Sequence, residues 1–260
     1  MSLVLFQQEG PIGRIIFNNP VQLNAMTPEM ADDLLPVIDQ INSKPEIRVV
    51  IISGSGRAFS AGGNLQFILD HQNQTPEQNK KEMIEFYSKF LSLRKIEVPT
   101  IAMIHGSAMG AGLCIAMICD LRYAADNAKM GVNFAKLGLS SGMGTLYSLS
   151  RLLGPTQSAD LLLTGRTLPA SEALQMGLLN NIFPADILEN KVLEIAQQIS
   201  QNAPIPLKIM KKGLQKASQM SLEEIFDYES EGQAITFATD DLKEGVKSIQ
   251  EKRAPKFIGK

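Results

Sequence analysis

Short apolar alternations open the chain. Residues 3–8 and 12–17 read as two strands, with Gly10-Pro11 as the turn between them. Thr27-Pro28 then starts a helix, the hydroxyl as N-cap and the proline in the first turn. Met30, Leu34, Ile38 and Ile41 recur at helical spacing, with Pro36 expected to kink the run. Residues 48–53 contain Val-Val-Ile-Ile, a buried strand bounded by Gly54-Ser55-Gly56. The polar stretch 70–79 separates it from a helix bearing Met83, Tyr87 and Phe90. A strand at 100–104, a helix at 108–118 and a short strand at 121–124 follow.

Beyond about residue 185 the strand signals stop. Four helical patterns succeed one another at 187–199, 206–218, 222–237 and 242–251, the third opened by the capping box Ser221-Leu-Glu-Glu224. The alternation predicts an α/β core over 1–185 and a helical region over 186–260. Exposed apolar faces in that region would suit packing on another subunit.

Composition narrows the class. The 260 residues fit one large domain, alone or with a small appendage. Hydrophobic residues at 44% and charged residues at 20% mark a folded globular chain. A net charge of −2 with no basic run leaves no footprint for nucleic acid or an anionic membrane. Cys114 and Cys119 make no disulfide framework, and the first residues lack a signal-peptide pattern, so a cytoplasmic protein is expected. The apolar stretch 99–119 contains a G-x-x-x-G at Gly106 to Gly110. Its β-branched residues crowd into the first part and His105 interrupts it, which reads as a strand and a glycine-entered helix rather than a membrane span.

Several glycine motifs fail as cofactor or hydrolase signatures. Gly54-Ser-Gly56 and Gly110-Ala-Gly112 each lack the third glycine of a dinucleotide fingerprint. Gly138-Leu-Ser140-Ser141-Gly142 fits the nucleophile-elbow pattern, yet no histidine follows it; His71 and His105 both precede it. Two histidines and two cysteines form no metal-ligand spacing, and no metal is expected.

Two other segments are coherent. Residues 58–65, Ala-Phe-Ser-Ala-Gly-Gly-Asn-Leu, and 106–112, Gly-Ser-Ala-Met-Gly-Ala-Gly, leave strands through small side chains that keep main-chain N–H groups open. The second runs into a helix, whose first amides have no intrahelical partner. Two such donors converging on one point would make an oxyanion hole. The same small residues equally serve tight helix–sheet packing.

These segments also carry a family likeness. With Asn19-Pro-Val-Gln-Leu-Asn24-Ala-Met26, His105-Gly106, Cys119-Asp120-Leu-Arg-Tyr-Ala, Lys136 to Gly144, Leu163-Thr-Gly-Arg166 and Asp240 to Gly245, the chain resembles the crotonase (enoyl-CoA hydratase/isomerase) superfamily over nearly its full length. The resemblance implies a spiral of ββα turns, a C-terminal helical region used in trimers or dimers of trimers, and an acyl-CoA thioester ligand. Coenzyme A would enter with the substrate, with no tightly bound cofactor. It implies Ala61 and Ala111 as the two thioester-carbonyl donors. Leu23, Ala25, Ala58, Ser60, Gly62, Gly63, Asn64, Leu65, Ser107, Phe134 and Leu137 would line the ligand's path, with Arg57 or C-terminal lysines meeting its anionic groups.

The departures set the chemistry expected. By the flanking motifs, Cys114 and Phe134 stand at the two glutamate positions of family hydratases. Gly142 stands where some isomerases have an aspartate, and Asn64 replaces an acid common after the glycine pair. His71, Cys114, Asn133, Ser140 and Ser141 are the remaining candidates to move or orient a proton. An enolate-stabilising acyl-CoA enzyme with little hydratase activity is the leading expectation. Its alternatives are a silent acyl-CoA binder and a β-carboxyacyl-CoA decarboxylase.

Overall fold

The computed structural model describes residues 2–260. Strands β1 (Val4–Glu9) and β2 (Ile12–Phe17) pair antiparallel, with Val4 opposite Phe17 and Glu9 opposite Ile12. In α1 (Pro28–Asn42), Thr27 Oγ1 accepts from the Met30 N–H at 3.3 Å, and the Met30, Leu34, Ile38 and Ile41 stripe is buried. Pro36 lies exposed inside this helix, which continues past it.

A unit of long strand, short strand and helix then repeats. Strands β3 (Val49–Gly54) and β4 (Ala58–Ser60) lead to α2 (Leu65–Asp70) and α3 (Pro76–Leu91). Strands β5 (Thr100–Ile104) and β6 (Ser107–Met109) lead to α4 (Ala111–Ile118), and β7 (Leu121–Ala125) and β8 (Lys129–Gly131) lead to α5 (Thr145–Thr164). After these come β9 (Leu168–Pro169), α6 (Ala170–Gln175) and β10 (Asn181–Phe183). The long strands form one sheet, ordered β1-β2-β3-β5-β7-β10 and parallel beyond its first pair. The short ones form a second sheet, β4-β6-β8-β9. Residues 107–109 are thus strand, and the helix expected from residue 108 starts only at Ala111. They pair with β4 and β8, a non-local bond that small side chains leave unmarked in the sequence.

Strands β3 and β5 are buried along nearly their whole length, as a parallel strand covered on both faces must be. At the closing end, α7 (Leu188–Ser200) buries Leu188, Val192 and Ala196 in the same core. Helix α8 (Pro204–Lys216) is pinned by Lys211, whose Nζ reaches Asp120 Oδ2 at 2.8 Å and the Val98 carbonyl at 2.7 Å. Helices α9 (Leu222–Phe237) and α10 (Asp240–Gln250) leave Phe226, Phe237 and Ile249 exposed. No helix among the described residues is long and apolar enough to cross a membrane.

Candidate active site

The site forms where the short strands end. Beyond β4 the chain is clamped by residues 23–26. The Ala61 N–H donates to the Leu23 carbonyl at 2.9 Å, the Met26 N–H to the Gly62 carbonyl at 2.7 Å, and the Asn64 N–H to the Met26 carbonyl at 3.0 Å. Ser60 Oγ donates to the Asn24 carbonyl at 2.8 Å and accepts from the Gly62 N–H at 3.2 Å. Asn24 holds the clamp: fully buried, it donates from Nδ2 to the Ser55 and Ala58 carbonyls at 2.9 and 2.8 Å and accepts the Asn19 N–H at 2.9 Å.

These bonds correct one expected donor. The Ala61 amide is already engaged, so it is not open to a ligand. In the parallel bridge between Met26 and Gly63, Met26 bonds the residues on either side of Gly63, so the Gly63 N–H faces the opposite edge. It has no partner among the described residues. Gly63 replaces Ala61 as the first open donor.

The second expected donor, the Ala111 N–H, lies at the entry to α4. Gly110, at φ +50 and ψ −121, turns the chain into α4, and the Ala111 N–H heads that helix with no partner among the described residues. Gly62, at φ +98, lets the two segments meet: a Cβ there would lie 2.6 Å from the Met109 carbonyl oxygen and 3.4 Å from the Ala111 nitrogen. A Cβ at Gly112 would stand 2.5 Å from the Ser60 carbonyl oxygen.

Both donors line a cleft of about 890 Å³. Leu23, Ala25, Gly62, Asn64, Leu65, Phe134 and Leu137 line it, and so do His71, Asn133, Ser140 and Ser141. Ala58 and Ser60 are instead buried in the clamp beneath it, and Cys114 is buried behind its wall. Ser107 opens β6 outside the lining. His105 Nε2 lies 3.1 Å from the Gly56 carbonyl, also away from the cleft.

The sequence profile of the enoyl-CoA hydratase/isomerase family matches residues 7–260. The chain belongs to this family. A Mycobacterium tuberculosis protein named "Probable enoyl-CoA hydratase echA8" is 34% identical over 254 residues, covering 98% of this chain and 97% of that one. The short-chain-enoyl-CoA hydratase of Clostridium acetobutylicum is 32% identical over 254 residues, covering 97% and 96%. Among solved structures, an enoyl-CoA hydratase from Bacillus anthracis superposes with a TM-score of 0.93 at 29% identity, over 99% of this chain and 100% of that one. The expected crotonase fold, a ββα spiral with C-terminal helices, is the fold observed.

Residues 114 and 134 of this chain carry no carboxylate. Cys114 Sγ lies 2.8 Å from Thr145 Oγ1 and 3.2 Å from the Gly110 carbonyl. Burial pushes its thiol up to about 12, so at neutral pH it is no base. The Phe134 ring edge comes within 4.0 Å of where a Gly110 Cβ would be. His71 Nδ1 is 2.7 Å from the Phe67 carbonyl, and its Nε2 is buried 3.3 Å from Glu82 Oε2 without hydrogen-bond alignment.

Sequence reasoning missed Phe67, Met83, Phe86 and Tyr87 as cleft residues. Met83 and Tyr87 were legible only as members of a helical stripe. That period gives the buried face of α3 but not the cavity that the face overlooks.

Proposed function

We propose that this chain binds an acyl-CoA thioester in the cleft and stabilises its enolate between the Gly63 and Ala111 amides. The observation that carries this reading is the pair of partner-free N–H groups opening on one largely apolar cleft. Charge develops on the thioester oxygen as the enolate forms, so fixed donors there favour the transition state over the ground state, each by roughly 2.7–4 kcal/mol. Arg57, on the cleft lining and without an ion-pair partner among the described residues, suits a phosphate of the coenzyme. The substrate brings the coenzyme with it, and the reading needs no other cofactor.

The reaction follows from the residues at the matched acid positions. Cys114 and Phe134 supply no carboxylate, and general acid–base groups are worth about 10²–10⁴ in rate. Hydration of an enoyl thioester should therefore be slow, although the relatives carry hydratase names. Loss of CO₂ from a β-carboxyacyl thioester reaches the same enolate with no base to start it. The same two residues also favour a second reading, a silent acyl-CoA binder.

Incubation with crotonyl-CoA, butyryl-CoA and methylmalonyl-CoA, followed by mass spectrometry and thermal melting, tests both. We expect all three to raise the melting temperature, hydration to be slow and the β-carboxyacyl thioester to lose CO₂. Fast hydration surviving Cys114→Ala sinks the account of the acid positions. Binding without turnover of any thioester leaves the silent binder, and absence of binding removes both readings. The exposed apolar residues of α9 and α10 support a trimer or dimer of trimers. A monomer in sedimentation analysis would refute that.

A further inference from the structure

We propose that Tyr87 is the proton donor of this site, its phenol protonating the α-carbon of an enolate held by Gly63 and Ala111. The inference rests on the thioester reading above and adds the group that moves the proton.

Elimination among the cleft side chains gives the first support. Arg57 carries a guanidinium, a group suited to holding an anion rather than to passing on a proton. The ring nitrogens of His71 are turned to the Phe67 carbonyl and to Glu82, and its Nε2 is closed off from the cavity. Ser140 and Ser141 are alcohols with no base hydrogen-bonded to them among the described residues. Tyr87 lines the cleft, half-buried, and its hydroxyl makes no hydrogen bond to any described residue. Its proton is uncommitted.

Location gives the second. A Cβ added at Gly142 would overlap Tyr87 Oη and lie 2.9 Å from Cζ. The hydroxyl of α3 thus fills the room that a side chain at position 142 would occupy. Gly142 adjoins the first turn of α4: its carbonyl accepts from Thr145 Oγ1 and lies 3.9 Å from the sulfur of Cys114. Cys114 follows Ala111 by three residues, and its sulfur reaches back to the Gly110 carbonyl. The phenol therefore enters the cleft beside the helix start that supplies one of the two donors.

Protonation state gives the third. Burial, and then Cys114 on α4, raise the phenol above its ordinary range. It stays neutral at physiological pH, the form that gives up a proton. In the step itself the Oη–H bond breaks as a Cα–H bond forms. The enolate electron pair becomes the new bond, the thioester carbonyl is restored between the two amides, and water reprotonates the tyrosinate. Run in reverse, the same group exchanges the α-proton with solvent.

That reverse reaction is the test. Full-length protein is incubated with butyryl-CoA in D₂O, deuterium at C2 is read by mass spectrometry, and binding is measured by calorimetry. We expect wild-type exchange to rise with alkaline pH as tyrosinate forms. Tyr87→Phe should bind butyryl-CoA equally and melt at the same temperature, yet exchange at least about 10²-fold more slowly. Gly142→Ala keeps the tyrosine but displaces its hydroxyl, and should slow exchange as well. Wild-type exchange rates in Tyr87→Phe, or butyryl-CoA bound by the wild type without exchange, would overturn the role of Tyr87 alone. No binding by the wild type would overturn the thioester reading instead.

Discussion

The Ala61 N–H and the Leu23 carbonyl are joined at 2.9 Å, and this one bond decides which main-chain donor is left for the cleft. With residues 61, 62 and 64 held to residues 23–26 and Ser60, the Gly63 amide is the one of residues 61–64 left without a partner among the described residues. The arrangement depends on Gly62, whose φ of +98 and proximity to the Met109 carbonyl exclude a side chain. Gly62→Ala should cost at least about 1–3 kcal/mol. Gly63→Ala meets only the flexible tip of Ile68 at 3.2 Å and should cost less. Urea unfolding of the two variants side by side checks the order, and equal losses would refute it.

Phe134 lines the cleft, so a carboxylate in its place would be delivered to the bound thioester. We expect Phe134→Glu to raise crotonyl-CoA hydration by up to about 10²-fold. Cys114→Ala should leave crotonyl-CoA hydration near its wild-type rate, because the buried thiol does not line the cleft. Steady-state absorbance assays decide both points.

The two cysteines make stability fall at alkaline pH. Burial raises both thiols from about 9 unfolded to about 12 folded. A raised folded pKa means that the folded state retains protons the unfolded state has released. The stabilisation is therefore complete below pH 9 and is lost progressively between pH 9 and 12, by an amount of order a few kcal/mol per thiol. Denaturant midpoints over that window should drop less in Cys114→Ala. An equal drop in the variant would remove the thiol from the explanation.

Lys211 is the buried tether of α8, held to Asp120 and the Val98 carbonyl, while Asp120 also accepts from the Thr100 N–H and hydroxyl. Lys211→Met breaks the pair and leaves the carboxylate poorly compensated, at a cost of about 3–5 kcal/mol. Asp120 keeps some solvent contact and the Thr100 bonds, which places the expected loss at the lower end. Hydrogen exchange should show α8 opening first. Uniform protection across the chain would count against a local tether.

Much of the fold was legible because burial period is a local property. Continuous apolar runs marked β3 and β5, and the Met30 to Ile41 stripe marked α1. The capping box at Ser221 and Glu224 forms as its spacing implied. The two small-residue turns were found as well, since only glycine and alanine let strand ends and a helix start come so close.

What the sequence determined by itself was the kind of each segment and the stretches where main-chain amides stay bare. Tertiary pairing decided which bare amide is free: Gly63 rather than Ala61, through contacts some 38 residues apart in the chain. It also made residues 107–109 a strand and pointed Tyr87 into the cleft. Periodicity tells a side chain which face to occupy. Which neighbour then takes up a donor, or leaves it open, is settled only when distant segments close on one another.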